Sequence, residues 1–148
     1  MPNSPALPDN NISPELEVAL VSLGKAQQDL VAVGKWLTDT EIADEIIGFH
    51  IQQAIEKSFK SILLRRMIDY PHTHNLRLLV DLCRANDIQV PSEFLEVDVF
   101  NRFAVQWRYD LLPSTTDIML DRQAAYDLAE QIWLWVNKLV YQDSGLVE

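Results

Sequence analysis

A chain of 148 residues with 48 % hydrophobic content has the size and apolar content of one domain with a true core. Its net charge of −10 opposes a broad grip on a nucleic-acid backbone, which needs clustered Lys and Arg, but leaves room for a small local basic site. The single cysteine, Cys83, excludes an intrachain disulfide, and with three histidines it offers no ligand pairs at zinc spacing, so neither metal nor cofactor is expected.

No glycine-rich phosphate loop and no nucleophile elbow is present. No charged-then-apolar segment opens the chain, and no apolar run approaches the ~18 residues that span a bilayer. The expectation is a soluble cytoplasmic protein.

Residues 1–12 are rich in Pro and Asn and lack periodicity, which predicts a tail. Ser13-Pro14 starts a helix: Ser as N-cap, Pro at the first helical position, Glu15 and Glu17 in the first turn. It runs to about Leu37, with Leu16, Ala19, Leu20, Leu23, Ala26 and Leu30 on one face. Gly34 on that face allows a neighbouring helix to come close. Glu41, Asp44 and Glu45 suit the N-terminus of a second helix, which ends near Met67 before Asp69-Tyr70-Pro71.

The second helix carries the most informative stretch, 49–64, FHIQQAIEKSFKSILL. Ile51, Ala54, Ile55, Phe59, Ile62 and Leu63 fall on one face. Beside them, at about 100° per residue, runs a second stripe of His50, Gln53, Lys57 and Ser61. Lys57 and Ser61 also read as a solvated flank, and His50 and Gln53 as satisfied half-buried groups.

Thr73 is the expected cap of a third helix over about 74–85, with Leu76, Leu79, Val80 and Cys83 buried. A fourth helix is expected over about 92–109, with Phe94, Val97, Phe100, Phe103, Ala104 and Trp107 inward and Asn101 and Arg108 on one row. After a loop over 111–116, Asp121 caps the last helix, which runs to about Tyr141. Trp133 and Trp135 flank its core stripe, and Leu134 and Tyr141 point away. No period-two stretch occurs, so the fold class is all-α: a five-helix up-and-down bundle over 13–142, with a tail at 143–148.

Three segments carry a family resemblance: FHIQQAIEKSFKSILL, THNLRLLVDLC and NRFAVQWRYD. With them the chain resembles the HEPN domain family of prokaryotic helical bundles over roughly 17–139. His50, Gln52, Gln53, Ala54, Glu56, Lys57 and Lys60 fill the family's F-H-x-Q-Q-A-x-E-K-x-x-K-x-L helix. The resemblance implies a homodimer, often encoded beside a small nucleotidyltransferase as half of a toxin–antitoxin pair. Many members are metal-independent ribonucleases with an R-x4-6-H motif, in which His acts as acid or base and Arg stabilises phosphorane charge. In this chain Arg108 takes the Arg position, and the six residues after it contain no histidine. Asp110 also stands where a related subgroup often has proline. Arg66 and His72 match the spacing only across the break at Pro71.

The expected function is a binding module. His50, Gln53 and Lys57 would face Asn101, Arg108 and Tyr109 across a polar groove, for a nucleotide phosphate, RNA or a segment of a nucleotidyltransferase partner. Lys57 and Arg108 would supply charge, Gln53 and Asn101 hydrogen bonds, and Tyr109 a stacking face. Neither a membrane nor DNA is an expected partner. The alternatives are a ribonuclease using His50, His72 or His74 with Arg108, and an adaptor dimer.

Overall fold

The computed structural model describes residues 12–104 and 120–142. Among these the chain is all-helical, with α1 at Pro14–Trp36, α2 at Asp44–Arg65, α3 at Leu76–Ala85, two short 3-10 segments at Ser92–Phe94 and Val97–Phe103, and α4 at Arg122–Gln142. The expected tails, Ile12 apart, and the expected site residues Arg108 and Tyr109 lie outside the described residues.

α1 starts as its sequence dictates. Ser13 Oγ accepts from the Leu16 amide at 3.2 Å, Pro14 needs no partner at the first position, and Glu15 and Glu17 meet the positive helix end. α1 and α2 run antiparallel. Ser22 Oγ donates to the Lys57 carbonyl at 2.9 Å and Ser61 Oγ to the Ala19 carbonyl at 2.7 Å, so numbers rise along one helix as they fall along the other. Ser61, placed on the polar stripe by its spacing, is fully buried; its hydroxyl is a clamp between helices.

α4 is antiparallel to α1 and therefore parallel to α2. Trp133 Nε1 donates to the Leu23 carbonyl at 2.8 Å, and Arg65 Nε reaches the Val140 carbonyl at 3.2 Å. Tyr126 stands against Gly34, where an added Cβ would lie 3.3 Å from its hydroxyl, so the expected close approach occurs there. Asp121 caps α4 as expected, accepting from the Ala124 amide at 3.0 Å. Arg122, in the next position, donates to Asp44 Oδ1 and to the carbonyls of Trp36, Asp39 and Ile42, tying the α1–α2 connection to α4. Leu134 is exposed as its spacing predicts, whereas Tyr141 is half-buried.

α2 is the centre of the core: Ile47, Ile51, Ala54, Ile55, Phe59, Ile62 and Leu63 are all fully buried. It stops at Arg65 rather than near Met67. The Met67 amide bonds the Leu64 carbonyl and the Ile68 amide the Leu63 carbonyl, the pairing of a Schellman motif, with Met67 at φ 54°. α3 starts at Leu76, not His74, because Asn75 rather than Thr73 is its cap: Asn75 Oδ1 accepts from the Arg77 amide, while Thr73 Oγ1 accepts from Asn75 itself. α3 ends in a second Schellman pairing, with Asp87 at φ 65°.

The fourth helical element is 3-10 rather than α over the described residues. Phe94, Val97, Phe100 and Phe103 are all buried, and their strict three-residue spacing matches the three residues per turn of a 3-10 helix. Phe103 fills the space a Cβ would take at Gly48, letting this element lie directly against α2.

Candidate functional site

The outward margin of α2 carries two adjoining polar clusters, each built on a buried carboxylate. In the first, Asp29 reaches over from α1. Its Oδ1 lies 2.8 Å from His50 Nδ1 and its Oδ2 2.7 Å from Lys57 Nζ. An ionised carboxylate only accepts, so the hydrogen lies on Nδ1, and Nε2 is the ring nitrogen left for other partners. The His50 ring also makes edge contacts with Trp36 and Phe49, each at 5.3 Å between centroids. Its orientation is thus fixed from three sides. The side chains of His50 and Lys57 keep 28 % of their surface exposed, whereas Asp29 keeps 11 %.

In the second cluster Glu56, nearly fully buried, is the hub. Its Oε1 takes His74 Nδ1 at 2.8 Å and Gln52 Nε2 at 3.0 Å, and its Oε2 takes Lys60 Nζ at 3.1 Å. Gln52 Nε2 also donates to the His74 carbonyl, which pins the 66–75 connection onto α2. Lys60 lies over the Tyr70 ring, and burial together with the Glu56 charge pushes the Tyr70 phenol up from its ordinary value. Gln53, on the same face as His50 and Lys57, donates to Gln52 Oε1 at 2.7 Å and so borders this second cluster.

The expected residues are therefore brought together only in part. His50, Gln53 and Lys57 share one face, as their spacing requires. Asn101 makes its hydrogen bonds to α3. Its Oδ1 accepts from the Leu76 amide at 2.9 Å and its Nδ2 donates to Asn75 Oδ1 at 3.0 Å, so it completes the α3 cap. Lys57, expected to supply charge, has its ammonium matched by Asp29. Asp29 is the group the sequence reading missed, while Glu56 stood in the family motif without a place in the expected site. Asp29 sits on the core-facing arc of α1 beside Ala26 and Leu30, and a charge at a core position was the signal available.

Among the described residues no buried side-chain nitrogen or oxygen lacks a hydrogen-bond partner, and no group of three or more His, Cys, Asp or Glu is placed to hold a metal. No described helix is long and apolar enough to cross a membrane. Cys83 is buried in the core, and burial pushes its thiol up to about 12.

The structure thus defines an all-helical bundle whose central helix carries a carboxylate-anchored polar margin. The family model described as HEPN domain matches residues 21–139, most of the chain, and the chain belongs to the HEPN domain family. Comparison with curated proteins and with solved structures returned no match.

Proposed function

We propose that this HEPN protein is a nucleotide-binding module that works with a protein partner, and that it does not cut RNA by the family's Arg–His motif. The observation that carries the reading is the His50 ring, held by Asp29 through Nδ1 and flanked by Trp36 and Phe49. An imidazole with one fixed nitrogen and two aromatic neighbours suits a ligand with flat rings and hydrogen-bonding edges. Lys57 already has its counter-charge and the chain carries −10, so base and ribose groups fit this face better than a bare phosphate. Gln53, half-exposed beside it, supplies a second hydrogen-bonding group.

The partner reading rests on the family: a small nucleotidyltransferase encoded alongside, in a toxin–antitoxin-like pair, with the HEPN chain as a homodimer. The acidic charge agrees with a protein partner of basic surface. Calorimetric titration of the full chain with each of the four ribonucleotides tests the ligand. A tagged pull-down from the native cell tests the partner, a nucleotidyltransferase near one-to-one being the expected result. No heat with any nucleotide sinks the ligand reading.

One observation favours a second reading. A carboxylate on Nδ1, present at both His50 and His74, is the arrangement that orients an imidazole as general base. Cleavage of RNA in chelator, abolished by His50→Ala or His74→Ala, would move the protein to the ribonucleases.

A further inference from the structure

We propose that the groove where α1 begins and α2 ends docks a basic, amphipathic segment of a partner protein. This rests on reading the chain as a partner-binding module, but not on the nucleotide site, which lies toward the other end of α2. The groove is open and about 500 Å³, with Pro14, Val18, Leu64, Met67, Ile68 and Tyr70 along its walls. Met67 is 74 % exposed, the highest value among the exposed large apolar side chains of the described residues, and Val18, 47 % exposed, lines the same groove.

Met67 is the telling residue. It occupies the position after the α2 C-cap where a Schellman motif favours glycine, and its φ of 54° is one that side chains disfavour. Asp87 occupies the equivalent position after α3, but Asp adopts that conformation more readily than Met. The fold therefore holds a methionine at a strained place and leaves three-quarters of it in water. Neither burial nor backbone preference accounts for it, whereas a flexible, polarisable anchor for an apolar partner does.

The partner's charge follows from the same lining. The two charged residues of the groove, Glu15 and Asp69, are both acids, on a chain of net charge −10. An apolar ridge bordered by Lys or Arg complements this surface, and an acidic segment is repelled.

The test uses the full chain in its native host with a photo-cross-linking phenylalanine at position 18, alone and combined with Met67→Gly. The proposal predicts an adduct with a different protein through a peptide in which apolar residues stand beside Lys or Arg. Met67→Gly should lower its yield about tenfold, the loss typical of a truncated anchor. The same variant should melt about 2–4 °C higher by relieving the backbone. At about 1 M salt, where screening reaches about 3 Å, the yield should fall as well. Adducts only between two copies, only with residues 1–11 of the same chain, or none at all overturn the proposal, as does an adduct insensitive to Met67→Gly. Such failure leaves the nucleotide titrations unaffected, so the two readings fall separately.

Discussion

Lys57 reaches across 28 residues of sequence to place its ammonium 2.7 Å from Asp29 Oδ2, on the carboxylate whose other oxygen holds His50. That contact turns a lysine that reads as a phosphate ligand into a counter-ion, and leaves the imidazole as the addressable group. Removing Asp29 would strip both neighbours of their shared acceptor. Asp29→Ala is expected to cost about 2–4 kcal/mol in urea unfolding, with the high side favoured by the low exposure of the carboxylate. In a double-mutant cycle with Lys57→Met the two losses should be non-additive by about 1 kcal/mol or more. Strict additivity would mean that the pair is not coupled.

Glu56 should be still less replaceable. It accepts from Gln52, His74 and Lys60, so Glu56→Ala strands three donors at a site with 5 % side-chain exposure. A loss of about 3–5 kcal/mol is expected. Glu56→Gln, which keeps the shape and one acceptor, should lose less. Because His74 holds the 66–75 connection, hydrogen exchange at 66–75 should speed up in both variants, and unchanged protection there would contradict the hub.

Arg122 offers a test of geometry over charge. Its guanidinium serves Asp44 and three backbone carbonyls at once, and a lysine ammonium cannot reproduce that planar fork. Arg122→Lys should therefore recover little of the stability lost in Arg122→Ala, about 2–4 kcal/mol. Full recovery by lysine would show that only the Asp44 pair matters.

The Cys83 thiol, pushed up to about 12 by burial, gives a pH signature. Its unfolded value is about 8.5, so the unfolded chain releases the proton first. This contribution to stability is complete below about pH 8.5 and is lost as pH rises toward 12. Tyr70 and Tyr126, both raised, act in the same direction at higher pH. Unfolding midpoints should drop between pH 8 and pH 10.5, and Cys83→Val should flatten the slope. An unchanged slope would assign the drop to the tyrosines.

Most of the bundle was legible because its signals are local. Ser13-Pro14 and Asp121 cap where side-chain chemistry says they should, and the α2 stripe of Ile51, Ile55, Phe59 and Ile62 is buried as its period requires. The 3-10 element was misread because apolar residues at every third position also satisfy an α-helical stripe, and only their strictness at 94, 97, 100 and 103 separates the two. The α3 start was misread by two residues because Thr73 and Asn75 both cap well in isolation. The site was legible as a face but not as a network. Spacing places His50, Gln53 and Lys57 together, but the carboxylate that decides their chemistry comes from α1, 21 residues before His50. The capping role of Asn101 was hidden for the same reason: its partner, the α3 N-terminus, is 25 residues away.

The most direct measurement pairs nucleotide affinity with melting temperature for the wild-type chain and for His50→Ala. If the anchored imidazole receives a ligand, affinity should fall about tenfold or more, as expected when a buried hydrogen-bonding group is removed, while the melting temperature shifts by only a few degrees. Equal nucleotide affinity in the two proteins, with a large loss of melting temperature in His50→Ala, would show that Asp29, His50 and Lys57 are a brace between α1 and α2 and nothing more.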